Sequence, residues 1–174
     1  KPLSFYAFEI LYWCGVREGE LLALTPADFD FEKRTVSINK SYQRLNKKDV
    51  ITTPKTPKSN RVNQMPQFLC DELQDYLKQL YGVEPDRDVP ISKSYLHREM
   101  GRGCKQTGVK RIRIHDLRHS HISLLIDMGF TALAIAERVG HESIDITYRY
   151  AHLFPTRQVE MADKLDSLKN EKGV

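Results

Sequence analysis

The chain has 174 residues, of which 40% are hydrophobic and 29% charged, and its 27 Lys and Arg against 23 Asp and Glu leave a formal net charge of +4. This composition is typical of a soluble globular domain with a substantial core, and no apolar run approaches the roughly 20 residues that span a bilayer. Cys14, Cys70 and Cys104 are odd in number and widely spaced, which fits neither a zinc motif nor a disulfide framework and favours a reducing cytosol.

The first half of the chain predicts two helices and a small antiparallel element. The apolar stretch "SFYAFEILYWCGV" has aromatics at helical spacing and predicts a buried helix, and "REGELLALTPADFD" predicts a second short helix that ends before Pro26. Alternating β-branched residues in "RTVSINKSYQRL" predict a strand, the prolines of "TTPKTPKSN" predict a turn, and "RVNQMP" predicts a returning strand. Residues 30–66 should therefore form an antiparallel hairpin with a basic tip.

The second half predicts helices throughout. In "PQFLCDELQDYLKQLYG" the apolar residues fall on one face of a helix. Further helices are expected around Ser94–Thr107, His115–Met128, Ala132–Val139 and Ile144–Tyr150, and a last one from about Thr156 to Leu168. The expected fold class is mostly α with a small antiparallel β-sheet (α+β), in a single domain.

Basic residues concentrate in two blocks of the sequence. Residues 32–61 carry nine Lys and Arg against two acids, and residues 93–118 carry eight against two, whereas residues 62–92 carry two against six acids. Two such blocks on a mildly basic chain predict a polyanionic partner. The alternative is a solvated surface whose basic side chains serve solubility alone.

Two short motifs place cations at helical spacing. Arg17 and Glu20 in "CGVREGELLAL" are three residues apart and can meet on one helical face, as in an ordinary surface ion pair. In "IHDLRHSHIS", His115 and His119 have the spacing of two metal ligands with a third histidine nearby, but no carboxylate motif or cysteine pair completes such a site. The other interpretation is that His115 and Arg118 act on one anionic group, because an Arg fork binds phosphate oxygens in pairs.

The stretch "AIAERVGHESIDITYRY" allows more than one interpretation. The spacing of Ala136 and Gly140, followed by a short helix, imitates a helix-turn-helix DNA reader in which Ser143–Arg149 would contact bases. A packing role for Tyr148 and Tyr150 is a second alternative. At about 100° per residue these tyrosines point about 200° apart on a helix, so they should not share a role.

Taken in order along the chain, these motifs resemble the tyrosine recombinase (phage integrase) family. The matching segments are "GVREGE", "PKTPKSNR", "HDLRHSH", "VGHESIDIT" and "TYRYAH", which cover nearly the whole chain from Phe8 to about Leu153. The segments "TYRYAHL" and "FPTRQVEMADKLD" look most like integrases of temperate phages and conjugative elements. The resemblance implies the tyrosine recombinase catalytic-domain fold. It also implies a site-specific recombinase that cleaves and rejoins DNA through a 3′-phosphotyrosine, without metal or other cofactor, to integrate or excise a mobile element or prophage.

The resemblance implies that Tyr150 is the nucleophile, because the family's tyrosine stands nine residues after a histidine, here His141, and two before another. His115 is expected to help accept the tyrosine's proton, and His141 to hydrogen-bond the phosphate. Tyr148 then falls on the other side of a short helix and should pack beside Ile144. The remaining histidines of this region are expected to be structural, namely His119, His121 and His152.

The cations implied by the resemblance complete the expected site. Arg17 and Arg118 would clamp the phosphate oxygens, and Glu20 would orient the site rather than transfer protons. Lys55, in the turn, would protonate the leaving 5′-oxygen, with Lys58 three residues away as the alternative. Phosphates of the duplex are expected to contact the basic blocks, namely Lys40, Arg44, Lys47, Lys48, Lys58, Arg61, Lys93, Arg98, Arg102, Lys105, Lys110, Arg111 and Arg113.

The resemblance further implies partners and a domain organisation. Double-stranded DNA recombination sites in the bacterial cytoplasm are the expected ligand, bound by a homotetramer of protomers that are monomers in isolation, together with an accessory DNA-bending protein. Residues 1–174 are expected to be a catalytic-domain fragment without the family's N-terminal DNA-clamping domain. Residues 155–174 would be a tail helix that docks on a neighbouring protomer or packs on its own domain. Two other functions stay open, type IB topoisomerase-like relaxation of supercoils and non-enzymatic helix-turn-helix regulation.

Overall fold

Two helices followed by five short strands form the described N-terminal part of the chain. The computed structural model describes residues 2–54, 56–79, 91–154 and 158–171, the last of these with side chains for residues 159–167. The chain begins with two helices, α1 (Pro2–Trp13) and α2 (Glu18–Leu21). The strands that follow are β1 (Phe29–Asp30), β2 (Thr35–Ile38), β3 (Ser41–Leu45), β4 (Lys48–Thr52) and β5 (Arg61–Gln64).

The remainder of the described chain is helical. Its helices are α3 (Gln67–Gln79), α4 (Lys93–Thr107), α5 (Ile114–Asp127), α6 (Ala132–Val139), α7 (Ile144–Tyr148) and α8 (Gln158–Glu171). No helix within the described ranges is long and apolar enough to cross a lipid bilayer. The predicted class, mostly α with small antiparallel sheets, is confirmed. The predicted helix bounds within the described ranges agree with the observed ones to within about three residues, except that the second helix ends at Leu21 and not just before Pro26.

The strands form two separate antiparallel units in the described part of the chain. In the three-stranded sheet β2 lies between β1 and β5, and Val36 and Ile38 of β2 are buried. Strands β3 and β4 form a hairpin of their own, in which Ser41 lies opposite Thr52. The prediction of one continuous strand over "RTVSINKSYQRL" is therefore wrong, because the chain leaves the first sheet after Ile38 and pairs with a different strand.

The tip of the hairpin lies at Asn46 and Lys47. Their φ angles of 49° and 64° are those of the two-residue type I′ turn, whose twist matches that of the flanking strands. The prediction that "TTPKTPKSN" forms the tip is wrong, because this stretch instead links β4 to β5 and includes a single 3₁₀ turn at Pro57–Ser59. Lys55, predicted at the tip, lies outside the described residues.

A hydrophobic core joins the helices to the three-stranded sheet. Its buried members come from α1, β2, α3, α4 and the start of α5, and include Leu11, Val36, Leu69 and Leu96. Full burial of an aliphatic side chain of this size contributes about 1.5–3 kcal/mol relative to exposure. This core fixes the segment between α1 and α2, which carries Arg17, relative to the N-terminus of α5.

A second apolar cluster holds α5 against α6. Its buried members are Ile122, Ile126, Ile135 and Val139. Helix α6 begins after Thr131, whose side chain accepts a hydrogen bond from the N–H of Ala134, and ends at Gly140. The φ of Gly140 is +66°, and a Cβ there would lie 2.9 Å from the carbonyl oxygen of Lys58, so only glycine fits. The chain therefore turns sharply after α6 and carries His141 straight into the space beside α5.

The large apolar side chains described in α8 are exposed. Val159, Met161 and Leu165 all have more than half of their surface accessible. The structure therefore does not pack these three side chains against the rest of the described chain. Thr156, where the tail helix is predicted to begin, lies outside the described residues.

Candidate active site

Five of the six predicted catalytic residues line a single cavity of about 410 Å³. The cavity lies where the N-terminus of α2, the first turns of α5 and the segment around α7 meet. Its lining residues are Arg17, His115, Arg118, His119, His141, Ile146, Arg149 and Tyr150. The sixth predicted residue, Lys55, lies outside the described residues.

Arg17 is held on two sides at the start of α2. Its Nη1 donates to Oε1 of Glu20 at 2.7 Å, and its Nη2 donates to the carbonyl oxygen of Gly140 at 3.1 Å. Its backbone N–H also donates to Oε2 of Glu20 at 2.8 Å, which satisfies one of the free donors at the helix start. The pairing of Arg17 with Glu20 is as their spacing predicts, and it leaves the guanidinium at the wall of the cavity.

Glu20 is buried between two arginines. Besides Arg17, Nη2 and Nη1 of Arg61 donate to its two carboxylate oxygens at 2.9 and 3.1 Å. Burial alone would raise the pKa of Glu20, but the hydrogen bonds and charges of Arg61 and Arg17 hold that pKa below its usual range. Only 7% of the side chain of Arg61 is exposed, and its Nε also donates to the carbonyl of Arg138 at 3.0 Å, so the guanidinium is held by protein partners. The DNA contact of Arg61 stays a prediction.

Arg118 is buried with part of its guanidinium unpaired. Its Nη1 donates to the carbonyl oxygen of Gly15 at 2.6 Å, whereas its buried Nη2 has no hydrogen-bond partner among the described residues. Burial, and then the positive charge of Arg17, lowers the pKa of Arg118 to about 9, so the group is still a cation at neutral pH. A buried donor without a partner is costly, and an anion in the cavity would supply one.

Gly15, whose carbonyl oxygen accepts the hydrogen bond from Arg118, has a position that only glycine fits. Its φ is +61°, and a Cβ at this position would lie 2.4 Å from Cδ2 of His121. The ring of His121 is in turn fixed, because its Nε2 lies 3.1 Å from Nε of Arg138, which donates to it. Nη2 of Arg138 donates to the carbonyl of Trp13 at 3.0 Å, so the loop between α1 and α2 is anchored from behind.

The two predicted catalytic histidines have different surroundings. His141 is buried and its Nδ1 lies 2.8 Å from Oγ1 of Thr147, which leaves Nε2 for the cavity. Burial, followed by the charges of Arg118 and Arg17, lowers the pKa of His141 to about 4, so the ring is neutral at pH 7. Partial desolvation, and then its neighbours His119 and Arg118, also lowers the pKa of His115.

Tyr150 sits immediately after α7, with its hydroxyl at the cavity. Its backbone N–H donates to the carbonyl of Thr147 at 3.0 Å, and its ring packs on the apolar cluster between α5 and α6. Its hydroxyl is hydrogen-bonded to Nδ1 of His119. Burial raises the pKa of Tyr150, although the charges of Arg118 and Arg149 oppose that shift. The phenol is therefore protonated at neutral pH and needs a proton acceptor to become a nucleophile.

The structure adds residues that sequence reasoning missed or misjudged. His119, predicted to be structural, lines the cavity and contacts Tyr150; its four-residue spacing from His115 was the available signal, because it places both on one face of α5. Arg149 lines the cavity and was not predicted. Tyr148, predicted to pack beside Ile144, is instead 52% exposed.

A second cavity, of about 360 Å³, adjoins the first and shares Arg17 and Ile146 with it. Glu20 and Gly140 lie in its wall, together with Pro54 and Thr56. The residues on either side of Lys55 in the sequence therefore lie beside the arginine of the site.

Most of the residues predicted to contact DNA are exposed. Lys40 is an exception, because it is half-buried and its Nζ lies 2.8 Å from Oδ2 of Asp28, so its phosphate contact stays a prediction. Arg102 and Arg113 are exposed but paired with Glu99 and Asp116. The exposed members of the predicted set are Arg44, Lys47, Lys48, Lys58, Lys93, Arg98, Arg102, Lys105, Lys110, Arg111 and Arg113.

The histidines of α5 do not form the metal site that their spacing allows. His121 is buried and paired with Arg138, away from the residues that line the cavity. Within the described residues, no group of three or more His, Cys, Asp or Glu side chains is arranged to hold a metal ion.

The fold is mostly helical with small antiparallel sheets, and it surrounds an arginine-lined cavity beside a tyrosine. Tyrosine recombinase catalytic domains have this architecture. The chain belongs to the phage integrase family, whose model matches residues 4–157. A curated relative is the ICEBs1 integrase of Bacillus subtilis (strain 168), which is 36% identical over 180 residues, covering 95% of this chain and 48% of that protein. The chain thus spans about half the length of this relative.

Solved structures share the fold. The Tn1549 transposon integrase in complex with circular intermediate DNA superposes with a TM-score of 0.76 at 21% identity, over 95% of this chain and 60% of that one. The catalytic domain of bacteriophage HP1 integrase superposes with a TM-score of 0.60 at 20% identity, over 95% of this chain and 83% of that one. These similarities confirm the predicted tyrosine recombinase catalytic-domain fold.

Proposed function

We propose that the chain is the catalytic domain of a site-specific DNA recombinase, an integrase that inserts or excises a mobile element through a 3′-phosphotyrosine intermediate. The observation that carries this proposal is the convergence of Arg17, Arg118 and His141 on one cavity with the hydroxyl of Tyr150 at its edge. The unpaired Nη2 of Arg118 supports an anionic ligand. The ICEBs1 integrase and the DNA-bound Tn1549 integrase point to the same class of reaction.

The reaction we propose is an in-line transfer of a DNA phosphoryl group to tyrosine. Oη of Tyr150 attacks the scissile phosphorus, the bond from phosphorus to the 5′-oxygen breaks, and the phosphate stays on the tyrosine. Arg17 and Arg118 bind the non-bridging oxygens, where negative charge grows in the transition state, and neutral His141 donates a hydrogen bond to one of them. Lys55 protonates the departing 5′-oxygen. Because the new ester retains the bond energy, the 5′-hydroxyl of another strand can reverse the step.

Glu20 serves this site through its arginines. Its carboxylate is ionised and buried, and it bonds Arg17 on one side and Arg61 on the other. Holding Arg17 in one rotamer before DNA arrives removes an ordering cost from the transition state. Glu20 is therefore a positioning residue in this proposal rather than a proton carrier.

The exposed basic residues would bind the DNA backbone around the cavity. Lys47 at the hairpin tip and Lys48 beside it are exposed, whereas Lys40 is paired with Asp28. If both tip lysines contact phosphates, replacing them together with alanine lowers the slope of log K against log salt by about 2. Lys40→Ala is the matched control and should leave the slope unchanged.

The assembly we propose is a homotetramer on double-stranded recombination sites in the bacterial cytoplasm, formed from protomers that are monomeric in isolation, with an accessory DNA-bending protein. The exposed apolar side chains Val159, Met161 and Leu165 of α8 support docking of the tail on a neighbouring protomer. Residues 1–174 alone should bind DNA weakly and recombine poorly. Removal of residues 155–174 should abolish assembly on DNA, and retained assembly would show that the tail is not the link.

Trapping of a covalent DNA adduct on nicked duplexes tests the proposed function. The wild-type chain and Tyr148→Phe should form the adduct and Tyr150→Phe should not. If Tyr148→Phe abolishes it and Tyr150→Phe does not, the nucleophile is wrong. An absence of adduct with every variant would favour the non-enzymatic helix-turn-helix regulator. Rejoining of the cleaved end only to its own strand, never to a different duplex, would favour the topoisomerase-like alternative.

A further inference from the structure

His119 is the residue that touches the reacting oxygen. Its Nδ1 is hydrogen-bonded to Oη of Tyr150, and its ring centroid lies 5.8 Å from that of the tyrosine. His115, one helical turn earlier on α5, contacts the ring of His119 edge-to-face at 4.7 Å between centroids. Among the described contacts, the hydrogen bond of the phenol therefore goes to His119 and not to His115.

We propose that His119 is the general base that removes the proton from Tyr150. As the bond from Oη to phosphorus forms, the phenolic proton passes to Nδ1 of His119, and the 5′-oxygen leaves with a proton from Lys55. In the reverse step the imidazolium of His119 returns its proton to Oη as the phosphotyrosine bond breaks. This inference rests on the proposed function and assigns a further catalytic residue to that site.

The positions of the two histidine rings on α5 explain why His119, and not His115, is the base in this proposal. Residues four apart on a helix lie one above the other, so His115 stands one turn closer to the N-terminus of α5 and His119 one turn closer to Tyr150. The tyrosine ring is fixed by its contacts with the apolar cluster between α5 and α6. Its hydroxyl therefore has one settled partner before any DNA is bound, and that partner is in hydrogen-bond reach as a base must be.

Charged groups of both signs surround His119. Asp116 lies one turn earlier on the same helix, and its pKa is held below its usual range mainly by hydrogen bonds from Arg113, with a further contribution from His119. The carboxylate of Asp116 is therefore a negative charge on the same face of α5 as His119. His115 on the same helix carries the opposite charge when protonated, as do Arg118 and Arg149 at the cavity. The developing negative charge on Tyr150 and the phosphate offsets these cations.

An experiment without DNA tests the ground state. For Nδ1 to accept from the phenol, the neutral ring must carry its proton on Nε2. Long-range ¹H–¹⁵N NMR of the chain at pH 8 should show His119 as the Nε2–H tautomer, and Tyr150→Phe should shift its Nδ1 resonance. A wild-type His119 with its proton on Nδ1, or no response to Tyr150→Phe, overturns the proposal whatever the reaction proves to be.

A second experiment tests the chemical step on a nicked duplex selected from a randomised pool by wild-type adduct formation. His119→Ala should slow adduct formation by about 10²–10⁴-fold and remove the fall in rate on the acidic side of the pH profile. His119→Asn, which can hold the hydroxyl but cannot take its proton, should be as slow. His152→Ala, an exposed histidine two residues after Tyr150, is the matched control and should react at the wild-type rate.

A change of the leaving group distinguishes the role of the base, His119, from that of the acid, Lys55. With sulfur in place of the bridging 5′-oxygen, the leaving thiolate needs no proton, so Lys55→Ala should recover and His119→Ala should remain slow. Wild-type rates in His119→Ala or His119→Asn overturn the proposal, as does loss of the acidic limb in His115→Ala but not in His119→Ala. Absence of any adduct with the wild-type chain contradicts the proposed function instead, and the tautomer measurement still decides the ground-state contact.

Discussion

Removal of the Glu20 carboxylate should destabilise the protein far more than removal of an exposed charge. Glu20 accepts four hydrogen bonds, two from Arg17 and two from Arg61, at 2.7–3.1 Å. Only 4% of its side chain and 7% of that of Arg61 are exposed. Glu20→Ala would therefore leave the guanidinium of Arg61 buried and without its countercharge.

The size of the effect follows from which partner remains. Removing one member of a buried ion pair costs about 3–5 kcal/mol, because the other charge stays desolvated. Replacing both members with apolar residues of similar volume is often close to neutral. The double variant Glu20→Leu with Arg61→Met should therefore recover at least about 2 kcal/mol relative to Glu20→Ala, even though Arg17 still loses its partner.

Guanidinium chloride unfolding at pH 7.5, followed by circular dichroism, measures these differences. Lys33→Ala is the matched control, because it removes an ion pair with Asp30 in which 80% of the lysine side chain is exposed, and it should cost at most about 1 kcal/mol. A cost for Glu20→Ala as small as that of the control would refute the reasoning. So would a double variant that is no more stable than Glu20→Ala.

Three further changes probe the rest of the site. Gly15→Ala should destabilise the protein by more than about 1 kcal/mol, because the φ of Gly15 is +61° and the new Cβ would collide with His121. Gly103→Ala, in open space within α4, should instead stabilise the protein by about 0.5–1 kcal/mol. Chemical unfolding measures both changes. Burial lowers the pKa of both His121 and His141 from 6.5 to about 4, so the unfolded chain binds protons that the folded chain does not. Stability should therefore be complete above pH 6.5 and fall towards pH 4, and equal midpoints at pH 7.5 and 5 would contradict this. Arg118→Lys should slow adduct formation by about 10²–10³-fold, because an ammonium lacks the second donor of the fork, and a single-turnover rate near wild type would exclude the phosphate clamp.

Much of the helical part of the fold could be predicted because its signals are local. The helix expected at Ala132–Val139 is observed with those bounds, since a threonine cap, an apolar stripe and a terminal glycine lie within ten residues. The sheets could not be predicted in the same way. Strands β2 and β3 are both β-branched or alternating, and only their different partners decide that the chain changes sheets at Asn39 and Lys40: β2 pairs with the distant β5, whereas β3 pairs with the adjacent β4.

The features of the site that could not be predicted from the sequence also depend on tertiary contacts. A basic residue in the sequence does not reveal whether the fold supplies a buried carboxylate for it, which is why the ion pairs of Arg61 with Glu20 and of Lys40 with Asp28 were not predicted. His119 is a related case, because its role depends on Tyr150, 31 residues away in the sequence. Spacing places His119 beside His115, and tertiary structure decides which of the two faces the phenol.

The charge balance around the cavity accounts for what the site can bind. Arg17, Arg118 and Arg149 line the cavity. Glu20 bonds Arg17 and the buried Arg61, whereas Arg118 bonds a neutral carbonyl. His141 cannot supply a countercharge, since it is neutral at pH 7. A fold selected for stability alone would place a second carboxylate beside Arg118 or replace that arginine with an apolar side chain. The excess of positive charge is instead suited to a ligand that brings its own negative charge and gains more of it during a reaction, as the phosphodiester of the proposed reaction does.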